Sequence, residues 1–171
     1  GQAITRASKW LEGCQNFPAD GGFYFHPKVD HFGNKAQWSD KANRQPRSYG
    51  TATCDGIRCL IACGNSKDSP RVKGALAWLE KHPELKDVPG FEKTSAQLGW
   101  KEGLWYYYCM TLARTLPLLP HDFAQEQRDR LEKAVLARQR DDGSWKNKSA
   151  RMREDDPLIA TCFALMALTS P

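Results

Sequence analysis

No stretch of this chain approaches the ~20 consecutive apolar residues that a membrane-spanning helix needs, so no membrane span is expected. No signal peptide opens it. The chain begins at Gly1 and stops at Ser170–Pro171 directly after a helical pattern. Those ends suit a mature form, as of an exported parent, or a piece excised from something longer; a soluble protein is expected and no compartment is encoded. A strong excess of one sign of charge is lacking as well, with a net charge of only +5 over 171 residues. Basic residues gather at Arg44–Arg47, Arg128–Lys133 and Lys146–Arg153. Acids interleave the second of these tracts, and all three read as solvated faces rather than a nucleic-acid site. There is no paired Cys-x-x-Cys, so the six cysteines do not spell a zinc module. Cys14, Cys54, Cys59, Cys63, Cys109 and Cys162 fall mostly in stretches that read as buried helix, where cysteine packs as a small hydrophobe. Free thiols are therefore expected, with no metal and no cofactor.

What the chain does have is a threefold alternation, within a length that makes one domain with a real core. Amphipathic, charged helical patterns run over Ile4–Gln15, Arg71–His82 and Gln125–Gln139. Each gives way to a glycine-bearing loop and then to a stretch nearly free of charge: 50–64, 103–119 and 157–169. The second of these carries only Arg114 and the last no charge at all. A helix apolar all round is expected to be buried on every side, so the charged helices read as an outer layer over an inner one. The loops share a signature. Gln15 is followed by Asp20-Gly21-Gly22-Phe23, Gln139 by Asp142-Gly143-Ser144-Trp145, and a degenerate copy runs from Trp78–Leu79 to Pro89-Gly90-Phe91. Inner stretches begin about 53 residues apart, a period typical of repeat architectures. Repeats are placed at about 3–64, 69–119 and 125–169. Glycine supplies the left-handed residue that ends a helix, and the aromatic after it can fold back over the helix end.

These residues resemble a known family. Gln139-Arg140-Asp141-Asp142-Gly143-Ser144-Trp145 is similar to the QW motif of the prenyltransferase/squalene-oxidase repeat, found in squalene–hopene cyclases and their relatives. Ser48-Tyr49-Gly50-Thr51-Ala52-Thr53, Leu104-Trp105-Tyr106-Tyr107-Tyr108 and Asp156-Pro157-Leu158-Ile159-Ala160-Thr161 resemble a bacterial, prenyltransferase-like branch of it, over residues 3–169. The resemblance implies an all-α fold, an α/α toroid of outer–inner hairpins whose inner helices form a barrel that binds ligands at its mouth. The three hairpins here make half such a barrel. Open apolar edges then imply self-association, or pairing with a missing N-terminal half.

Candidate site residues follow from where the long loops deliver chemistry. Loops 16–48, 83–102 and 140–156 all run to the N-terminal ends of inner helices, which carry unpaired N–H groups and positive dipole character. They bring Ser48, Tyr49 and Thr51; Glu102, Trp105 and Tyr106; and Glu154, Asp155 and Asp156. Of these, Tyr49, Glu102, Trp105 and Tyr106, with His26 from the aromatic-rich first loop, are the ligand-binding candidates, and the aromatics and carboxylates suit an apolar small molecule or a carbohydrate. Consecutive Tyr106, Tyr107 and Tyr108 point about 100° apart, so they cannot all face one cavity. His26 and His31 are general-base candidates by intrinsic pKa. Asp55 and Arg58, at i and i+3, are expected to pair.

The related cyclases protonate an alkene or epoxide with a buried Asp-x-Asp-Asp acid. By resemblance Asp155 and Asp156 are the catalytic candidates. The local sequence, Glu154-Asp155-Asp156-Pro157, departs from that motif, and Asp156 before Pro157 also reads as an ordinary N-cap. Cys54-Asp55 lacks the order and spacing of the zinc ligands of protein prenyltransferases. The sequence thus supports a terpene-cyclase/prenyltransferase-like domain that binds an apolar ligand or partner. An acid-catalysed isoprenoid cyclase and a toroid that binds or cleaves polysaccharide are the alternatives.

Overall fold

The computed structural model describes residues 1–92 and 95–170, with the backbone alone at 31–32 and 95–98. The protein is mostly helical, with α1 (Gln2–Glu12), α2 (Val29–Phe32), a short antiparallel pair β1 (Trp38–Asp40) and β2 (Gln45–Pro46), α3 (Gly50–Ala62), α4 (Pro70–Lys81), α5 (Ser95–Gly103), α6 (Trp105–Thr115), α7 (His121–Leu136) and α8 (Pro157–Leu168). Two compact units divide the chain, Gly1–His82 and Pro83–Pro171. No helix among the described residues is long and apolar enough to cross a membrane.

Local chemistry sets the helix ends. Ser69 accepts from the Val72 N–H with Pro70 at the first helical position of α4, and Asp156 accepts from the Leu158 N–H with Pro157 at that position of α8. Both follow the rule that a short polar side chain satisfies an orphan N–H while proline needs none there. α3 stops at Gly64 (φ +93°), which lets the Asn65 N–H reach back to the Leu60 carbonyl, the left-handed stop that glycine makes without strain.

In the first unit α3 packs against both α1 and α4. The stretch between α1 and α3 folds on two buried amides. Asn16 Nδ2 donates to the Pro46 carbonyl (2.7 Å) and to Ser48 Oγ (2.9 Å), and Asn34 Nδ2 to the carbonyls of Gln37 and Arg47 (2.8 and 2.9 Å). A buried loop carries backbone groups that need partners, and these asparagines supply them.

In the second unit α6 packs along α8, and α7 touches both. Here the expectation that every inner helix is buried on all sides holds for α6 alone. All but two of its residues are buried, Trp105 and Tyr108 among them. Thr111 and Thr115, also buried, satisfy their hydroxyls on carbonyls three and four residues back. α8 instead buries only Ala160, Ala164 and Ala167, while Leu158 is 72% exposed and Leu165 and Met166 face solvent. A stripe of alanines lets α8 approach α6 closely, with Phe163 edge-on against Tyr107, while Leu158, Leu165 and Met166 are left on the other face. Likewise α3 buries one face and leaves Cys59 exposed, and Cys162 is exposed on α8. For those two cysteines the expected burial is corrected. All six cysteines are free thiols.

A candidate ligand-binding cleft at the start of α6

The glycine-aromatic signature folds the same way in both units. Gln15 Nε2 donates to the Gly21 carbonyl (2.8 Å) and Gln139 Nε2 to the Gly143 carbonyl (2.9 Å). Gly21 and Gly143 both take positive φ, +81° and +82°. Asp20 Oδ1 accepts from the Gly22 N–H, and Asp142 Oδ1 from the Ser144 N–H. The Asn16 N–H bonds the Gly22 carbonyl as that of Arg140 bonds Ser144. Most telling is the link to the following long helix: the Phe23 N–H donates to Thr53 Oγ1 of α3, and the Trp145 N–H to Thr161 Oγ1 of α8, each at 3.0 Å. The aromatic is buried in both, Phe23 against Gly56 and Trp145 with its indole N–H on the Val135 carbonyl. The turn is therefore a clamp that ties the chain after α1 to the side of α3, and the chain after α7 to the side of α8.

After the second clamp the chain passes over the N-terminus of α6, and one carboxylate organises that crossing. Glu154 is fully buried. Its Oε1 accepts from the Tyr107 N–H (2.8 Å), and its Oε2 from the Tyr106 N–H (3.0 Å) and from Asn147 Nδ2 (3.0 Å). The first amides of a helix have no partner within it, and Glu154 satisfies them from 47 and 48 residues away. Burial pushes its carboxyl pKa up, against the hydrogen bonds that pull it down. Asn147 also donates to the Glu102 carbonyl, joining the 145–148 segment to the end of α5. The following segment lies on α5 at its glycines. Ser149 Oγ donates to the Gly99 carbonyl (2.7 Å), and a Cβ at Gly103 would meet Ser149 Oγ at 2.8 Å.

These elements enclose a cleft of about 350 Å³ lined by Lys86, Asp87, Lys101, Glu102, Trp105, Tyr106, Arg138, Lys146, Asn147 and Lys148. Trp105 and Tyr106 meet edge to face, with ring centroids 4.9 Å apart. The Trp105 indole N–H bonds the Leu85 carbonyl (2.8 Å). Arg138 lays its guanidinium over the Trp105 ring, 3.5 Å from the centroid, and donates to the Lys86 carbonyl (2.9 Å). Lys101 is buried and paired to Asp87 at 2.6 Å. A neighbouring hollow shares Lys146, Asn147 and Lys148 and adds Arg140 and Asp155.

No family model, curated protein or solved structure matches the chain.

Of the residues singled out in the sequence, Glu102, Trp105 and Tyr106 line this one cleft. Tyr49 and His26 belong to the other unit. Tyr49 is buried at the start of α3 with its N–H on the Phe23 carbonyl, and His26 packs edge-on against Trp10 and accepts from the Lys28 N–H. The side chain of His31 lies outside the described residues. Asp156 uses one carboxylate oxygen to cap α8, and Asp155 borders the neighbouring hollow with a buried Oδ1 that has no hydrogen-bond partner. Among the described residues no three His, Cys, Asp or Glu side chains converge as a metal site would need.

Sequence reasoning missed the cations. Lys146 and Lys148, read as part of a solvated basic face, border the cleft, together with Lys86, Lys101 and Arg138. The missed signal is their place: they follow Trp145 directly, in the segment that the clamp holds over α6.

Proposed function

We propose that this chain is a terpene-cyclase/prenyltransferase-like repeat domain, of α/α-toroid arrangement, that binds a small ligand in the cleft beside Trp105. The recurrence of the clamp supports the repeat reading, since the same hydrogen bonds join outer to inner helix in both units. The observation that carries the binding reading is the cleft itself. Two aromatic side chains and an arginine are fixed there by hydrogen bonds and stacking, and charged side chains at its rim are free to meet a ligand. Concave sites with a few well-held polar groups are where small molecules bind. Binding without turnover is favoured because Glu154 spends both oxygens, and Asp156 one, on backbone N–H groups, while Asp155 borders the neighbouring hollow and not this cleft.

The test is a thermal-shift panel of isoprenoid, anionic and oligosaccharide ligands, run beside a turnover assay. Stabilisation by one class, lost on Arg138→Ala, is the expected result. Conversion of squalene or a prenyl diphosphate that Asp155→Asn or Asp156→Asn abolishes would overturn it in favour of a cyclase. The exposed apolar faces of α8 (Leu158, Leu165, Met166) and α1 (Ile4, Trp10) also support self-association or pairing with further repeats. Light scattering at micromolar concentration should then give a mass above that of one chain, and a strictly monomeric mass would count against it.

A further inference from the structure

We propose that the occupant of this cleft is a compact oxyanion of the phosphate type carrying two or more negative charges. This rests on the ligand-binding reading above and names the chemistry that the site would recognise. The lining holds five cations, Lys86, Lys101, Arg138, Lys146 and Lys148, against two carboxylates, Asp87 and Glu102. The whole chain has a net charge of only +5. An excess of three positive charges in one hollow is therefore a concentration, not a sample of the average surface. Clefts lined by one sign of charge focus the field on their contents.

The cations are not equivalent. Lys101 is buried and spent on Asp87, so it sets the wall rather than meeting a ligand. Lys86, Lys146 and Lys148 are exposed at the rim. Arg138 is the pre-organised member: Trp105 fixes the plane of its guanidinium, and the Lys86 carbonyl takes one Nη2 proton. The remaining N–H groups lie in a known plane, the geometry that binds paired oxygens of phosphate or carboxylate bidentately. Glu102 is the one exposed carboxylate at the rim, and Glu154 lies buried beneath with its oxygens turned to the α6 amides. The helix N-terminus is thus already occupied, and attraction for an anion comes from the side-chain cations alone.

Size restricts the ligand further. A hollow of about 350 Å³ is at the small end of small-molecule sites. It admits a diphosphate or a phosphate ester, while a polymer would have to lie across the rim. An apolar molecule without a charged end would leave three lysines and Arg138 without compensation for the water that it displaces.

The experiment is isothermal titration of the full chain with inorganic pyrophosphate at low ionic strength, with inorganic phosphate and citrate as the other anions. The proposal expects saturable one-to-one binding of pyrophosphate, weaker binding of phosphate, and weakening as salt rises. The pair Lys146→Ala and Lys148→Ala should cost about tenfold or more in affinity, from the loss of charge-assisted contacts. Arg138→Ala should cost at least as much. Because Arg138 also packs on Trp105, the double lysine variant, made at exposed side chains, is the one that decides. Lys67→Ala, on the first unit, should bind as wild type. Unchanged binding in the double lysine variant, or equal loss in Lys67→Ala, overturns the site. Citrate binding without pyrophosphate binding overturns the phosphate class and leaves a ligand site standing. If no anion binds but an isoprenoid or oligosaccharide stabilises the chain in an Arg138-dependent way, the anion proposal fails and the ligand-binding reading survives. If nothing binds, both fail.

Discussion

Replacing Glu154 tests the organisation of the cleft at its base. In Glu154→Ala the N–H groups of Tyr106 and Tyr107 and the amide of Asn147 lose their acceptor together. The site is fully buried, so water does not readily take over. An orphaned buried donor costs about 1–3 kcal/mol. Two orphaned backbone amides, less the relief of no longer burying a carboxylate, come to about 3 kcal/mol. At ~2–4 °C per kcal/mol for a chain of this size, Tm should fall by about 6–12 °C. Glu154→Gln keeps one acceptor oxygen and turns an NH₂ toward the other donor, so its loss should fall between wild type and alanine. The pH dependence separates a carboxyl from a mere space-filler. Burial raises the folded-state pKa above the ordinary value of 4.5, so between that value and the raised one the folded protein holds a proton that the unfolded chain has released. Stability from this group is then greatest at low pH and declines as pH rises through that window. The Tm gap between wild type and Glu154→Gln should accordingly narrow from pH 4.5 upward. Differential scanning calorimetry across pH 4–8 reads both quantities. A Glu154→Ala variant within 1 °C of wild type, or a gap that widens with pH, would refute the reasoning.

The clamp predicts paired effects in the two units. Thr53→Val and Thr161→Val each remove the acceptor of a buried aromatic's N–H and should each cost about 1–2 kcal/mol in denaturant unfolding, with serine largely restoring the loss; a silent pair would break the equivalence. Gly21 and Gly143 share a positive φ, but a Cβ at Gly21 would meet the Gly74 carbonyl oxygen at 2.4 Å while one at Gly143 meets nothing within 4 Å. Gly143→Ala should therefore cost only the left-handed penalty of ~1–2 kcal/mol, and Gly21→Ala clearly more; equal costs would contradict the packing. With a thiol reagent, exposed Cys59 and Cys162 should react first. Cys14, whose thiol burial pushes up to about 12, and Cys109, raised by complete burial, should wait for unfolding. Rapid reaction of Cys109 in native protein would show that α6 is not packed as described.

Much of the helix layout was legible because charge distribution reports it directly. The amphipathic patterns at Arg71–His82 and Gln125–Gln139 correspond to α4 and α7, and the charge-poor stretches to α3, α6 and α8. Asp156–Pro157 marked the start of α8 by local chemistry alone. The burial of α8 was misread because composition cannot say which face of an apolar helix meets a partner. The alanine spacing at 160, 164 and 167 carries that information, and it points to one close contact. α2, α5 and the β1–β2 pair fall in stretches read as loop, where short or weakly patterned elements leave little periodicity. The inner-helix acceptor of the clamp had a visible trace, Ala-Thr-Cys at both 52–54 and 160–162, though spacing to the turn differs between the copies. The role of Glu154 had none. Its partners lie nearly fifty residues earlier, and only the fold brings them together. Trp105 and Tyr106 do open a helix, while Glu102, expected in the loop before it, lies in the last turn of α5, and the cations beside them come from three separate segments, 86–101, 138 and 146–148.

Hydrogen–deuterium exchange of the whole chain, with and without saturating pyrophosphate, tests the central claim most directly. The account predicts added protection confined to the segments that line the cleft, around 86–87, 99–107, 138 and 145–149. The first unit, around Tyr49 and His26, should be unchanged. Protection there instead, or none anywhere in the presence of measurable binding, would contradict the assignment of the site.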